Sequence, residues 1–188
     1  MDEKFKRFTV DVDGGDWGGR SPNTLGLKYG LPAILKLLKL HDIKGLFFVS
    51  TELLRQHKDE IRNILKEGHE LGSHGHFHVV YNNETRAKED YEISKSLLMT
   101  ITGKEYPHYR APHFSFDNGD VYSNPKNHVS LLKYTWGLQS IPKEPIFYMH
   151  PFDIVDDHQD APNLFCKILY SRPKAVYRNF VKFLERYR

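Results

Sequence analysis

Two kinds of segment alternate along this chain of 188 residues, and their alternation restricts the fold more than any other feature. Segments whose composition and flanking turn residues are typical of strands are 8–12, 46–49, 69–73, 109–112 and 146–149. Segments in which apolar residues recur at helical spacing are 31–40, 51–66, 84–101 and 173–187. This order predicts an α/β fold with a parallel sheet and right-handed crossovers.

Composition and charge narrow the class of protein. The hydrophobic fraction of 39% and the charged fraction of 27% are ordinary for a globular protein, and we expect one domain over 1–188. The net charge is +3, and the charges are interspersed, so the chain lacks the basic stripe that a nucleic-acid partner requires. No apolar run approaches the length of about 20 residues that a membrane span needs, and the N-terminus does not resemble a secretion signal. We therefore predict a cytoplasmic protein.

Polar side chains follow the predicted strands, and several of them are metal ligands by type. His74 and His78 are four residues apart, a spacing that places two imidazoles on one side of a helix or tight turn. Asp11 and Asp13 alternate with valines at the end of the first strand, so both carboxylates leave on one face. The alternative interpretation of the aspartates is turn formation, because Asp-Gly is a common turn pair.

An aspartate and two histidines can hold a catalytic divalent metal and leave a position for water. The imidazoles favour zinc, although cobalt, manganese or nickel could occupy the same ligands. A second carboxylate beside the metal can take a proton from that water, and Arg110 can orient this carboxylate or contact the substrate. His150, at the end of the last strand, can protonate a leaving group. The set predicts a metal-assisted hydrolase.

In their order and composition, these motifs resemble those of polysaccharide deacetylases of carbohydrate esterase family 4, also called the NodB homology domain. The family's Asp-Asp-Gly motif corresponds to 9–14, with a residue between the acids. Its His-Ser/Thr-x-x-His motif corresponds to 74–78, its Arg-x-Pro motif to 110–112, and its last apolar strand, ending in histidine, to 147–150. The likeness extends in matching order over about residues 8–155.

The resemblance implies a fold and a role for each matching residue. The implied fold is a distorted (β/α) barrel of about seven parallel strands. The implied metal ligands are Asp13, His74 and His78. The resemblance makes Asp11 the catalytic base, Arg110 the residue that holds Asp11, and His150 the general acid. We expect the substrate to be contacted by Trp17, Pro112 and His113.

The chain departs from the family pattern at two places. Gly75 replaces the Ser or Thr after the first histidine, which removes a hydrogen-bonding side chain near the metal. The fourth motif, with its aspartate and tryptophan, is not found, although Trp136 is near the expected place. These departures concern the substrate groove more than the metal centre.

The remaining histidines and the last helix receive less specific interpretations. We expect His69 to be structural and His76 to be a packing or surface residue. The histidines without a motif are expected to be solvated: His41, His57, His108, His128 and His158. The last helix has a basic face, which is either a solvated helix face or a contact with an anionic membrane; its residues are Lys174, Arg178, Lys182 and Arg186.

The resulting functional expectation is hydrolysis of an N-acetyl, or other acyl, group on a sugar. The sugar could be part of a glycan, lipid-linked or nucleotide-linked, and a precursor made in the cytoplasm fits the absence of a secretion signal. One alternative is a hydrolase of a linear or cyclic non-sugar amide in the same superfamily. The other is a non-catalytic carbohydrate-binding relative, which would not need Asp11, Arg110 and His150.

Overall fold

The computed structural model describes residues 7–14, 24–106, 108–155 and 164–186. Within these ranges one parallel sheet has the strand order β3-β2-β1-β5-β4. Its strands are β1 (Phe8–Val12), β2 (Leu46–Val49), β3 (Glu70–Ser73), β4 (His128–Ser130) and β5 (Ile146–Met149). The α/β class with a parallel sheet is therefore confirmed.

The first strand of the chain lies at the centre of the sheet. β1 pairs in parallel with β2 on one side and with β5 on the other. All five of its residues are buried, as expected for a strand whose two faces are both covered. The Thr9 hydroxyl donates to the Phe147 carbonyl across the β1–β5 boundary at 3.1 Å. This central position places the end of β1 between the ends of its neighbours.

The α-helices of the described ranges do not resemble membrane spans. They are α1 (Leu31–Leu40), α2 (Lys58–Lys66), α3 (Glu84–Thr102), α4 (Leu131–Thr135), α5 (Leu164–Leu169) and α6 (Pro173–Arg186). None of them is both long and apolar enough to cross a bilayer. The longest, α3, begins where the Asn83 side chain accepts from the Thr85 backbone N–H at 2.8 Å. It ends at Gly103, whose φ of 69° suits glycine.

The last helix packs its apolar face against the sheet. Phe180 stacks on Phe8 with ring centroids 5.0 Å apart, and Phe183 lies 4.3 Å from Phe147. The basic residues of the opposite face are exposed: Lys174, Arg178, Lys182 and Arg186. The amphipathic pattern of α6 thus follows from burial of one face on β1 and β5.

The described residues form five strands, whereas the resemblance implied about seven. Of the predicted strand 109–112, only Tyr109 forms a bridge, with Ser73. Pro112 lacks a backbone N–H for a strand ladder, and the next residue, His113, has a φ of 54°, so the extended segment ends there. The predicted helix 51–66 is a 3₁₀ turn, Thr51–Arg55, followed by α2.

Two other segments also differ from the prediction. Residues 130–137, whose sequence pattern is compatible with either a strand or a helix, begin at the end of the short strand β4 and continue as the short helix α4. Helix α5 was not predicted. Both helices are too short for a helical period to be visible in the sequence.

Two buried histidines support the fold in the neutral form. His69 is 5% exposed, and its Nδ1 accepts the Gly45 backbone N–H at 3.1 Å, which confirms its structural role. His128 is also buried, and its Nδ1 donates to the Asn124 carbonyl at 2.7 Å, so the expectation that it is solvated is wrong. Burial lowers the pKa of each imidazole to about 4.

These lowered pKa values predict loss of stability in mild acid. Between pH 6.5 and 4 the unfolded chain binds protons that the folded imidazoles exclude, so the free energy of unfolding falls as the pH falls. Each histidine contributes at most about 1.4 kcal/mol per pH unit. His69→Asn keeps an oxygen to accept from Gly45 but does not titrate, and we expect a shallower pH dependence. Urea unfolding from pH 4 to 7 in a chelator measures this, and slopes identical to wild type would contradict it.

Candidate metal centre and hydrolytic site

The predicted metal ligands, base and acid meet at one edge of the sheet. Asp11 and Asp13 lie at the end of β1, His74 follows β3, and His150 follows β5. Because the strands are parallel, their carboxyl ends share an edge, which is where open α/β sheets build their sites. A cleft of about 270 Å³ lies there, and its lining includes Asp11, Asp13, His74, His78 and His150.

The three predicted ligands form a cluster in the described part of the chain. One ligand atom each from Asp13, His74 and His78 lies within 4.8 Å of the others. The Asp13 Oδ2 and His78 Nε2 atoms are 3.5 Å apart. Two donors at about 2.0–2.1 Å from a tetrahedral ion lie roughly 3.4 Å apart, so this pair already has a zinc-like separation. The donor set therefore fits a divalent metal.

His74 is held in the tautomer that a ligand needs. Its Nδ1 donates to the Arg110 carbonyl at 2.7 Å, which leaves the Nε2 lone pair for a metal. Burial lowers the pKa of His74 to about 4, so the imidazole is neutral at physiological pH. His76, between the two ligands, points elsewhere: its Nδ1 lies 2.9 Å from the Thr51 hydroxyl. It packs against the Thr51 turn and takes no part in the cluster.

Asp11 is paired with a buried guanidinium. Arg110 has no exposed surface; its Nη1 donates to Asp11 Oδ1, and its Nη2 donates to the Thr9 hydroxyl at 3.0 Å. Its Nε donates to the Tyr122 carbonyl at 3.2 Å. Burial alone would raise the pKa of Asp11, but the charge and hydrogen bond of Arg110, together with the His74 and His150 imidazoles, outweigh it and hold the pKa below its usual value. Asp11 is therefore ionised beside the metal ligands.

His150 lies between the metal cluster and a second carboxylate, Asp153. Its Nε2 lies 3.8 Å from Asp13 Oδ2, and its Nδ1 lies 3.5 Å from Asp153 Oδ2. Asp153 also accepts the His150 backbone N–H at 2.8 Å. Burial favours the neutral imidazole, but the nearby carboxylates, Asp153 first, outweigh it and raise the pKa of His150 to about 9. The imidazole therefore retains a proton at neutral pH.

Sequence reasoning missed Asp153, which is fully buried. Trp136, near the expected place of the fourth motif, does not line the cleft, and its Nε1 donates to the Leu169 carbonyl at 2.6 Å. The one available signal was the three-residue spacing from His150, in a turn that begins with Pro151. That spacing is too common to indicate a function by itself.

The three predicted substrate contacts have different outcomes. His113 is exposed, lines the cleft and lies 5.0 Å from the His78 ring. Pro112 is buried, begins the 3₁₀ turn Pro112–Phe114 and is not among the residues that line the cleft. Trp17 lies outside the described residues.

An apolar wall of the cleft was not predicted. It is formed by Phe114, Leu132, Tyr148, Phe152, Leu169 and Tyr170. Tyr148 could have been found, because it lies between Phe147 and Met149 in β5 and therefore points to the opposite face. The others come from separate elements, and no local pattern joins them.

A model of one protein family, described as polysaccharide deacetylase, matches residues 22–128. The chain belongs to the polysaccharide deacetylase family. The matched range contains His74, His78 and Arg110, whereas Asp11, Asp13 and His150 lie outside it. Their presence at the same site is therefore an observation from the tertiary structure.

Curated relatives of this family match part of the chain. A peptidoglycan deacetylase of Helicobacter pylori is 31% identical over an alignment of 124 residues that covers 59% of this chain and 42% of the relative. The peptidoglycan-N-acetylmuramic acid deacetylase PdaA of Bacillus subtilis is 28% identical over 83 residues, 43% of this chain and 32% of the relative. The chain thus spans less than half the length of these relatives.

Solved structures match nearly the whole chain. A pseudoenzyme of carbohydrate esterase family 4 from Bacillus anthracis, BA3943, has a TM-score of 0.64 at 18% identity, over 98% of this chain and 62% of its own. The peptidoglycan N-acetylglucosamine deacetylase Bc1960 has a TM-score of 0.58 at 17% identity, over 97% and 84%. At such identities the likeness shows the fold, and it confirms the NodB-like fold that the motifs implied.

We expect the purified chain to bind about one divalent metal ion through the cluster. Elemental analysis after dialysis should show that a double variant, His74→Ala with His78→Ala, loses this ion. His76→Ala is the matched control, because that imidazole lies between the ligands in sequence but contacts Thr51, and it should retain the metal. Equal metal content in wild type and the double variant would exclude this ligand set.

Proposed function

We propose that this chain is a metal-dependent deacetylase that removes an acetyl group from the nitrogen of an amino sugar. The observation that carries the proposal is one cleft in which a three-ligand cluster faces an ionised carboxylate and a protonated imidazole. The curated relatives, which by their names act on peptidoglycan, support an N-acetylated amino sugar as the substrate class.

A divalent metal bound by the cluster would polarise the acyl carbonyl and lower the pKa of the attacking water. Asp11 accepts the proton of that water, because Arg110 helps to hold its carboxylate ionised and its position near the C-terminal end of β1 places it beside the ligands. His150 carries the proton that the departing amine nitrogen needs. The apolar wall, including Tyr148 and Phe152, lines the cleft beside these groups.

The rival proposal is a carbohydrate-binding protein without turnover. One neighbour with this fold is a pseudoenzyme, so the fold does not decide activity and the residues of the cleft must. Asp11, Arg110 and His150 favour catalysis, because sugar binding does not require a buried base and a protonated acid. Acetate release from N-acetylglucosamine oligomers and N-acetylmuramic acid glycans tests this: binding without release would favour the rival.

Asp11 and Asp13 should respond differently to the same substitution. Asp11→Asn keeps the shape but cannot accept a proton, so we expect metal binding to persist while acetate release falls about 10²–10⁴-fold. Asp13→Asn should lower metal affinity, with activity partly recovered by excess metal. Metal titration and acetate assays of both variants decide the assignment. Loss of metal in Asp11→Asn with retention in Asp13→Asn would mean that the two roles are reversed.

Asp153 should set the basic limb of the pH profile. A general acid must be protonated, so activity is present below the pKa of His150 and is lost as the pH rises through it. Asp153→Asn keeps an acceptor for the His150 backbone N–H but removes the charge that raises the pKa. We expect the basic limb of kcat to move to lower pH, and His150→Ala to lose that limb with a rate about 10²–10⁴-fold lower. An unchanged profile in both variants would remove His150 from the mechanism.

A further inference from the structure

A buried carboxylate lies behind the metal cluster and belongs to none of the family motifs. Asp90, on the inner face of α3, is 4% exposed. It forms no ion pair with a described residue; instead it accepts hydrogen bonds from the backbone N–H groups of His76 at 2.8 Å and Phe77 at 3.1 Å. The Tyr81 hydroxyl also donates to it, at 3.0 Å. A buried carboxylate requires such donors, and here two come from the loop that joins the metal ligands.

Gly75 fits against this carboxylate. Its φ is 80°, and a Cβ built on it would lie 2.6 Å from Asp90 Oδ2. A side chain at this position would therefore collide with the carboxylate. The family motif has Ser or Thr here, and in this chain the space of that side chain lies next to Asp90.

The rest of the loop backbone is held from the other side. The Thr51 N–H donates to the Gly75 carbonyl, and the Glu52 N–H donates to the His76 carbonyl, both at 3.0 Å. The Gly75 N–H donates to the Ser73 hydroxyl at 3.2 Å. The Thr51 turn thus holds the Gly75 and His76 carbonyl groups, and Asp90 holds the N–H groups of His76 and Phe77.

We propose that Asp90 is a positioning residue for the metal: it fixes the 75–77 backbone and so sets the separation of the His74 and His78 imidazoles. The inference rests on the proposed metal-dependent function. It assigns to Asp90 the support that a hydroxyl at position 75 gives in the family pattern. Groups that orient metal ligands change metal affinity about 10–100-fold when they are removed.

Asp90→Asn tests this, because it keeps the size of the side chain but can no longer present two acceptor oxygens to two N–H donors. We expect Co²⁺ and Zn²⁺ affinity, measured by competition with a chromophoric chelator, to fall about 10–100-fold. The visible absorption of bound Co²⁺ should also change, because it reports ligand geometry. Glu89→Gln, the same change of charge at the exposed neighbouring position of α3, should leave both readouts unchanged.

A second pair of variants changes the loop side of the same contact. This pair tests the proposal if Asp90→Asn does not fold. Gly75→Ala places a Cβ against the carboxylate and should weaken Co²⁺ binding. Gly103→Ala is the control, since it has a similar φ of 69° but no atom within 4 Å of its Cβ, and it should not change Co²⁺ affinity.

The outcomes separate this inference from the proposed function. A folded Asp90→Asn with wild-type Co²⁺ affinity and spectrum, while the His74→Ala, His78→Ala variant loses metal, would overturn the role of Asp90 alone. If Asp90 has a purely structural role, Asp90→Asn should lower the free energy of unfolding without changing the Co²⁺ affinity or the Co²⁺ spectrum. That result would also overturn the positioning role. A wild-type chain that binds no metal would overturn both proposals.

Discussion

The site depends on the burial of one guanidinium. Moving the Arg110 charge out of water is costly unless a carboxylate and further acceptors surround it, and Asp11, Thr9 and the Tyr122 carbonyl provide them. The ring of Phe48, 4.3 Å from the guanidinium carbon, adds a favourable face. The end of β1 and the segment after Tyr109 are therefore joined through a single cation. The same pairing keeps Asp11 ionised.

Arg110 also acts through its main chain. Its N–H donates to the Ser73 carbonyl at 2.9 Å, which continues the register of β3, and its carbonyl accepts from His74 Nδ1. The side chain thus orients the proposed base while the main chain orients a proposed ligand. The position of the base and the tautomer of the ligand are consequently coupled through one residue. A displacement of Arg110 would disturb both.

The two departures from the family pattern lie next to buried aspartates. Gly75, which lacks the expected hydroxyl, lies next to Asp90. The chain has no recognisable fourth motif, and His150 lies beside Asp153. In each case the departure from the family pattern is accompanied by a buried carboxylate that no motif contains. Family motifs are therefore better compared by the contacts that their residues make than by residue identity.

The sequence by itself determined the elements with strong local patterns and the identities of the chemical groups. β1, β2 and β5 have the predicted bounds, and α1 and α3 agree with the prediction to within one residue, because apolar periodicity and end signals are properties of neighbouring residues. The His74–His78 spacing could likewise be read directly. Local patterns say less about short elements, so β4, α4 and the break before α2 were not resolved.

Only the tertiary structure decided which groups meet. Asp90 and Asp153 are ordinary acids in the sequence, and His128 carries no motif; their burial depends on the elements packed around them. The apolar wall of the cleft draws on β5, α4 and α5, which are far apart along the chain. The reason is physical: secondary structure follows from periodicity within a few residues, whereas pairing, burial and pKa follow from distances that exist only after the sheet has formed.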